Sequence, residues 1–188
     1  MRMFLGIPLA SHAAGRLTRL QERLSGLSDG LRWSRPESWH LTLQFFGNVD
    51  GMQLACLQTR LAAVHSPPVR VRIEDAGFFH HAAIFLARVS PTAELLALEK
   101  RVTGATRLCG FESENRPYTP HITLARGKGR HGGRALALVR NAMKRAESPG
   151  ENEIACSFTA EEFLLYESIP SPQGSRYEVR ARFPLLVL

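Results

Sequence analysis

Lysine and cysteine are both scarce in this chain. Of 24 Lys+Arg only Lys100, Lys128 and Lys144 are lysines, so the excess over 17 Asp+Glu is an arginine excess. Cys56, Cys109 and Cys156 lie far apart and form no CxxC pair. An odd, sparse set of this kind argues against a disulfide framework and against a cysteine-rich zinc site, and it favours a reducing compartment, the cytoplasm. The three read as small buried residues. No run approaches the ~18 apolar residues of a membrane span, so no membrane partner is expected. No linker, low-complexity tract or charge block divides the 188 residues, and 44% of them are hydrophobic. That excludes disorder of the whole chain and suits one domain with a core that needs no covalent staple.

What is present begins with charge. A formal net charge of +7 and a pI near 10.0 favour a polyanionic partner such as nucleic acid, or else simply a solvated arginine-rich surface. Arg2, the apolar stretch Met3 to Ala10 and the Ser11-His12-Ala13-Ala14 that follows loosely imitate a signal peptide. The stretch is short and holds Gly6 and Pro8, so it reads as a buried strand entering a turn.

Four segments carry apolar residues at i, i+3, i+7 and i+10, one face of a helix. They are Leu17/Leu20/Leu24/Leu27, Leu54/Leu57/Leu61/Val64, Leu95/Leu98/Val102/Ala105 and Leu136/Val139/Met143/Ala146. The first starts after Ser11 and is followed by Gly30; the second follows Asp50, a plausible N-cap. Strands are expected at Met3–Ile7, His40–Phe46, Val69–Ile73, Ala83–Val89, His121–Ala125, Ile154–Phe158, Glu162–Glu167 and Tyr177–Phe183. His80-His81 sits at a hairpin, and Gly127–Gly133 reads as an exposed basic loop. Strict alternation along His40–Phe46 puts Leu41, Leu43 and Phe45 on one face and His40, Thr42 and Gln44 on the other.

The order of elements repeats. Phe4 to His40 is 36 positions and Ile84 to His121 is 37; His40 to Ile84 is 44 and His121 to Leu164 is 43. Two related halves, roughly 1–82 and 83–167 with a C-terminal strand beyond, account for this agreement.

The same point in each half is marked by a motif. His40-Leu41-Thr42-Leu43 and His121-Ile122-Thr123-Leu124 share the pattern His-x-Thr-Leu. On a strand, residues i and i+2 share a face, so each motif sets an imidazole beside a hydroxyl while the intervening apolar residue anchors the strand. One such His is more often a satisfied core residue, and one such Thr simply a good strand former; a matched pair points to function. Two histidines supply a general base and a general acid near neutral pH, and two hydroxyls donate to the oxygens of a bound anion. That set suits attack on a phosphodiester. A two-His metal site is the alternative, but neither motif contains a carboxylate, and Glu37 and Asp50 flank the first at the wrong spacing for ligands.

With these motifs the chain resembles the bacterial and archaeal RNA 2′,3′-cyclic phosphodiesterases, the 2′-5′ RNA ligase-like family of the 2H phosphoesterase superfamily. Beyond the two tetrapeptides the resemblance rests on Met3 to Pro8, Arg32-Trp33, Pro36 to Gly47, Pro120 to Arg126, Leu165 to Ser168, and Gly174 through Tyr177 to Leu185. It implies an α+β, bilobed, pseudo-twofold-symmetric fold over residues 1–188, with two antiparallel sheets lining a central cleft and helices outside. It implies a cytoplasmic RNA-processing hydrolase, without metal or cofactor, that opens an RNA-terminal 2′,3′-cyclic phosphate, or a cyclic nucleotide, to a 2′-phosphate. His40 is then the proton donor and His121 the proton acceptor, with Thr42, Thr123 and Arg126 on the phosphate. Some members of the family join tRNA halves through a 2′,5′ linkage. A non-catalytic RNA-binding module is the reading that charge alone would support.

Alternation places Arg126 opposite His121, so it reaches the phosphate only if the strand ends or bulges. Trp33 and Phe46 are candidates for base stacking or for the core. Arg32, Arg35, Arg116, Lys128 and Arg130 are candidates for tracking an RNA backbone or are solvated charges. His12, His65, His80, His81 and His131 carry no partner motif. No exposed heptad demands a dimer, so a monomer is expected.

Overall fold

The computed structural model describes residues 1–113, 115–146, 153–171 and 174–186. Among them run nine strands and four α-helices: β1 (Arg2–Pro8), α1 (Ser11–Ser25), β2 (Leu31–Trp33), β3 (His40–Asn48), α2 (Gly51–Ala62), β4 (Val69–Phe79), β5 (Ile84–Val89), α3 (Ala93–Arg107), β6 (His121–Gly127), α4 (Gly132–Ala146), β7 (Cys156–Ala160), β8 (Glu162–Ser171) and β9 (Gly174–Pro184). The strands form two antiparallel sheets, of order β3-β1-β8-β9 and β2-β6-β5-β4-β7. The fold is the expected α+β arrangement. No described helix is long and apolar enough to cross a membrane.

The apolar stripes fold as their spacing predicts. In α1, Ala13, Leu17, Leu20 and Leu24 are buried, and each fully buried leucine contributes roughly 1.5–3 kcal/mol. Leu27 lies past the helix end and is exposed. Asp50 caps α2 through a reciprocal box: its carboxylate accepts from Gln53 N at 2.8 Å, and Gln53 Oε1 accepts from Asp50 N at 3.1 Å. One continuous core takes in both sheets and all four helices.

Several expectations need correction. Cys56 of α2 and Cys109, just beyond α3, form a disulfide with their Cα atoms 5.8 Å apart; only Cys156 is free. The sequence hid this because 53 positions separate the pair, and only the side-by-side packing of α2 and α3 brings them together. The bond weakens the compositional argument for a reducing compartment. Ile154 lies in a turn, and β7 begins two residues later. β4 runs six residues past Ile73. The segment Gly127–Gly133 is exposed and basic over Lys128–His131 as expected, but it is a tight connection: a Cβ on Gly127 would lie 2.7 Å from Gly132 Cα, so two glycines let the end of β6 touch the start of α4. The sheet-edge strand β2, three residues long, is too short to leave a periodic signal.

The two motif strands share an irregularity. Opposite β1, Thr42 pairs with Gly6 and Gln44 with Leu5, leaving Leu43 as an extra residue. Opposite β5, Thr123 pairs with Leu86 and Ala125 with Phe85, leaving Leu124 extra. Each is a β-bulge immediately after the His-x-Thr, and each resets the alternation that follows.

Candidate active site

The residues before each histidine fix its ring. A short 3-10 turn over Pro36–Ser38 precedes His40 and aims the Ser38 carbonyl at it. Pro120 holds Thr119 extended before His121. In both cases the ring Nδ1 lies 2.8 Å from the carbonyl two residues back, Ser38 for His40 and Thr119 for His121. A carbonyl only accepts, so Nδ1 carries the proton and Nε2 is left with a free lone pair. The two tethers are alike, and His121 and Arg126 are both near enough to depress the His40 pKa. The structure therefore brings His40, His121 and Arg126 together, with the half-buried Thr42 and Thr123 beside their histidines. The segment entering β6 is also tied to β3, where the Tyr118 hydroxyl donates to the Thr42 carbonyl at 2.7 Å. Among the described residues neither threonine hydroxyl is engaged by another side chain, and no three His, Cys, Asp or Glu side chains gather into a metal-sized cluster.

The bulges decide what else faces the cleft. Alternation sent Gln44 there and Phe45 inward, and the structure reverses this. Gln44 is 7% exposed and accepts from the Thr106 hydroxyl of α3 at 2.7 Å. Phe45 is 59% exposed. In β6 the matching shift buries Ala125 and turns Arg126 to the His121 side, which answers the question alternation left open. Phe45 and Arg126 thus occupy equivalent positions, five residues after each histidine. Phe46, one of the two stacking candidates, is a core residue packed on Phe111 at 4.8 Å. The stacking surface the sequence missed is Phe45, and a bulge after the motif is invisible to a period-two reading.

The two imidazoles differ in enclosure. His40 lies against Phe4 (4.5 Å between ring centroids), Tyr177 (5.2 Å) and Tyr166 (5.8 Å). Gly6 makes room for it: a Cβ there would sit 3.1 Å from His40 Cδ2 and from the Leu41 carbonyl oxygen. Burial pushes the His40 pKa down to about 4; the Ser38 hydrogen bond opposes the shift, and the charges of His121 and Arg126 add to it. His121 meets one ring, the edge of Phe79 at 4.9 Å. Its pKa is lowered by burial and by Arg126, against the Thr119 hydrogen bond. Burial also pushes Tyr166 up to about 12 and raises Tyr118 and Tyr177, so these phenols are protonated hydrogen-bonding groups at neutral pH.

Beside the histidines opens a shallow depression whose wall includes Arg32, Trp33, Arg35, Arg126, Arg176 and Tyr177. Arg32 on β2 lies directly opposite Arg126 on β6, a like-charge pair that costs a sheet roughly 0.2–1 kcal/mol. Trp33 is half-buried, with an edge contact to Phe85 at 5.8 Å, so it both packs and lines the depression. Arg116, Lys128 and Arg130 are exposed and off this wall.

The family model "LigT like Phosphoesterase" matches residues 7–83 and 87–177. An RNA 2′,3′-cyclic phosphodiesterase of Geobacillus stearothermophilus is 30% identical over 97% of this chain and 57% of its own length. One of Archaeoglobus fulgidus is 28% identical over 95% of this chain and 97% of its own. The crystal structure of Escherichia coli LigT complexed with 3′-AMP superposes with a TM-score of 0.75 at 22% identity, over 98% of this chain and 97% of that one.

Proposed function

The chain belongs to the LigT-like phosphoesterase family, and from that premise we propose that it is an RNA 2′,3′-cyclic phosphodiesterase working through His40 and His121. The observation that carries this reading is the matched tethering of two imidazoles, each with Nε2 free, in a cleft they share with Arg126. A water molecule attacks the phosphorus of the cyclic phosphate. His121 Nε2 takes the water proton, the P–O3′ bond breaks, and His40 Nε2 gives its proton to the departing O3′. The products are a 2′-phosphate and a 3′-hydroxyl, with atoms and protons balanced. Thr42, Thr123 and Arg126 hold the non-bridging oxygens, where charge builds in the transition state. Phe45 offers an exposed ring for the terminal base.

Burial keeps His40 neutral at pH 7 before substrate binds. Its role as donor therefore depends on the substrate: an anion against Nε2 favours the charged imidazolium, and the ring takes up a proton as the phosphate binds. No metal enters the scheme. With a ribose 5′-hydroxyl in place of water, O5′ attacks the same phosphorus, the P–O3′ bond breaks and O3′ takes the proton from His40, so the same groups would join RNA ends such as tRNA halves through a 2′,5′ linkage. The proposal extends to one bilobed domain of two related halves, acting as a cytoplasmic monomer in RNA processing. In each half the motif strand pairs with the strand that opens that half, β3 with β1 and β6 with β5, which supports the duplication.

The test is an RNA oligomer ending in a 2′,3′-cyclic phosphate, incubated with the protein in EDTA, followed by mapping of the product phosphate. A 2′-phosphate is expected, and His40→Ala and His121→Ala each lower turnover by about 10²–10⁴-fold. A 3′-phosphate would reverse the leaving oxygen. Full activity in both variants refutes the two-histidine scheme.

A further inference from the structure

The Arg32–Arg126 pair is not explained by one phosphate. Arg126 faces the histidines and suffices for the cyclic phosphate. Arg32 sits opposite it on the sheet edge, on the same face, an arrangement a sheet disfavours unless an anion is shared. Among the described residues no carboxylate forms an ion pair with either guanidinium, whereas Arg176, on the rim, is paired with Glu178 at 2.6 Å. The depression that Arg32 lines lies next to the cleft. Its wall includes Ser38, whose carbonyl tethers His40, and Tyr177, whose ring meets His40. One acidic side chain, Glu37, stands on the wall among four arginines. Arg2, Arg32 and Arg126 all bear on the Tyr177 hydroxyl, so positive charge converges there from both sheets.

We propose that Arg32 and its depression form a second phosphate subsite, which takes the internucleotide phosphate on the 5′ side of the terminal nucleotide. The inference rests on the phosphodiesterase reading for its biological substrate, and it narrows that substrate to an RNA chain end rather than a free cyclic mononucleotide. Arg32 is a binding residue here and takes no part in proton transfer.

The experiment is a cycle of protein and substrate changes. Wild type and Arg32→Ala are assayed for kcat/KM on a dinucleotide ending in a 2′,3′-cyclic phosphate. The second substrate is the same compound with its internucleotide phosphate replaced by a neutral methylphosphonate. The Kd of the corresponding 2′-phosphate dinucleotides is measured in parallel. One guanidinium–phosphate contact corresponds to about tenfold. Wild type is expected to lose about tenfold on the methylphosphonate, Arg32→Ala about tenfold on the charged dinucleotide, and the two changes together little more than either alone. Equal handling of both substrates by wild type overturns the subsite, as does a loss in Arg32→Ala that is the same on both. Absence of turnover on every substrate refutes the phosphodiesterase reading, and the subsite then stands or falls on the same cycle read in Kd. Arg32 is exposed on a three-residue edge strand; an unfolding curve superimposable on wild type confirms that the variant is folded.

Discussion

Replacing His40 with Asn should remove a specific part of the protein's acid sensitivity. The His40 pKa falls from 6.5 to about 4 on folding, chiefly by burial among Phe4, Tyr166 and Tyr177. Between these values the unfolded chain binds a proton that the folded protein refuses, so stability rises with pH across the window. The contribution is complete above pH 6.5 and is lost as pH falls towards 4. At 1.36 kcal/mol per pH unit, the loss from this one ring reaches about 2 kcal/mol at pH 5 and about 3 kcal/mol at pH 4. Asn keeps a donor where Nδ1 meets the Ser38 carbonyl but cannot titrate. The assay is urea unfolding of both proteins at pH 7, 6, 5 and 4. Other titrating groups, Glu99 and to a first approximation His121, are common to both and cancel in the difference. Wild type should lose stability relative to His40→Asn, by the amounts given. Parallel curves would show that the ring is not desolvated, and with that the account of its neutrality before substrate binds would fail.

Three further outcomes are expected. Titrating the protein with 2′-AMP in buffers of different ionisation enthalpy should register net proton uptake near pH 7, because the anion raises both histidine pKa values; zero uptake contradicts the scheme for His40. Gly6→Ala places a Cβ 3.1 Å from His40 Cδ2, so the ring must shift by a few tenths of an ångström; kcat should fall about tenfold with little change in the unfolding midpoint. Cys56→Ser opens a 53-residue loop, which chain entropy values at up to about 4 kcal/mol. Thermal unfolding should register that loss while activity per folded molecule is retained.

The sequence carried the chemistry further than it carried the geometry. Two His-x-Thr-Leu tetrapeptides at matched places located His40, Thr42, His121 and Thr123, because period-two alternation holds across those few residues. It fails at the next one. The bulges at Leu43 and Leu124 come from strand pairing, which no single strand announces, and they exchange Gln44 for Phe45 at the cleft and bring Arg126 round to it. The tether of each ring was equally hidden, since any residue supplies a carbonyl. The four stripes found the helices, but β2 is too short for any periodic signal, and it carries Arg32. The disulfide was missed because a contact between helices leaves no trace in the spacing of two cysteines.

The strand order also sets a sequence of manufacture. β1 is made first, yet it lies between β3 and β8, and β8 starts at Glu162. While the chain is being synthesised, one flank of β1 stays unpaired, an open apolar edge of the kind that invites association. Phe4 meanwhile waits for Tyr166 and Tyr177, the rings that complete the wall around His40. A nascent or truncated chain that stops short of β8 therefore contains both histidine motifs but no finished cleft. In such a fragment the His40 ring lacks the contacts of Tyr166 and Tyr177.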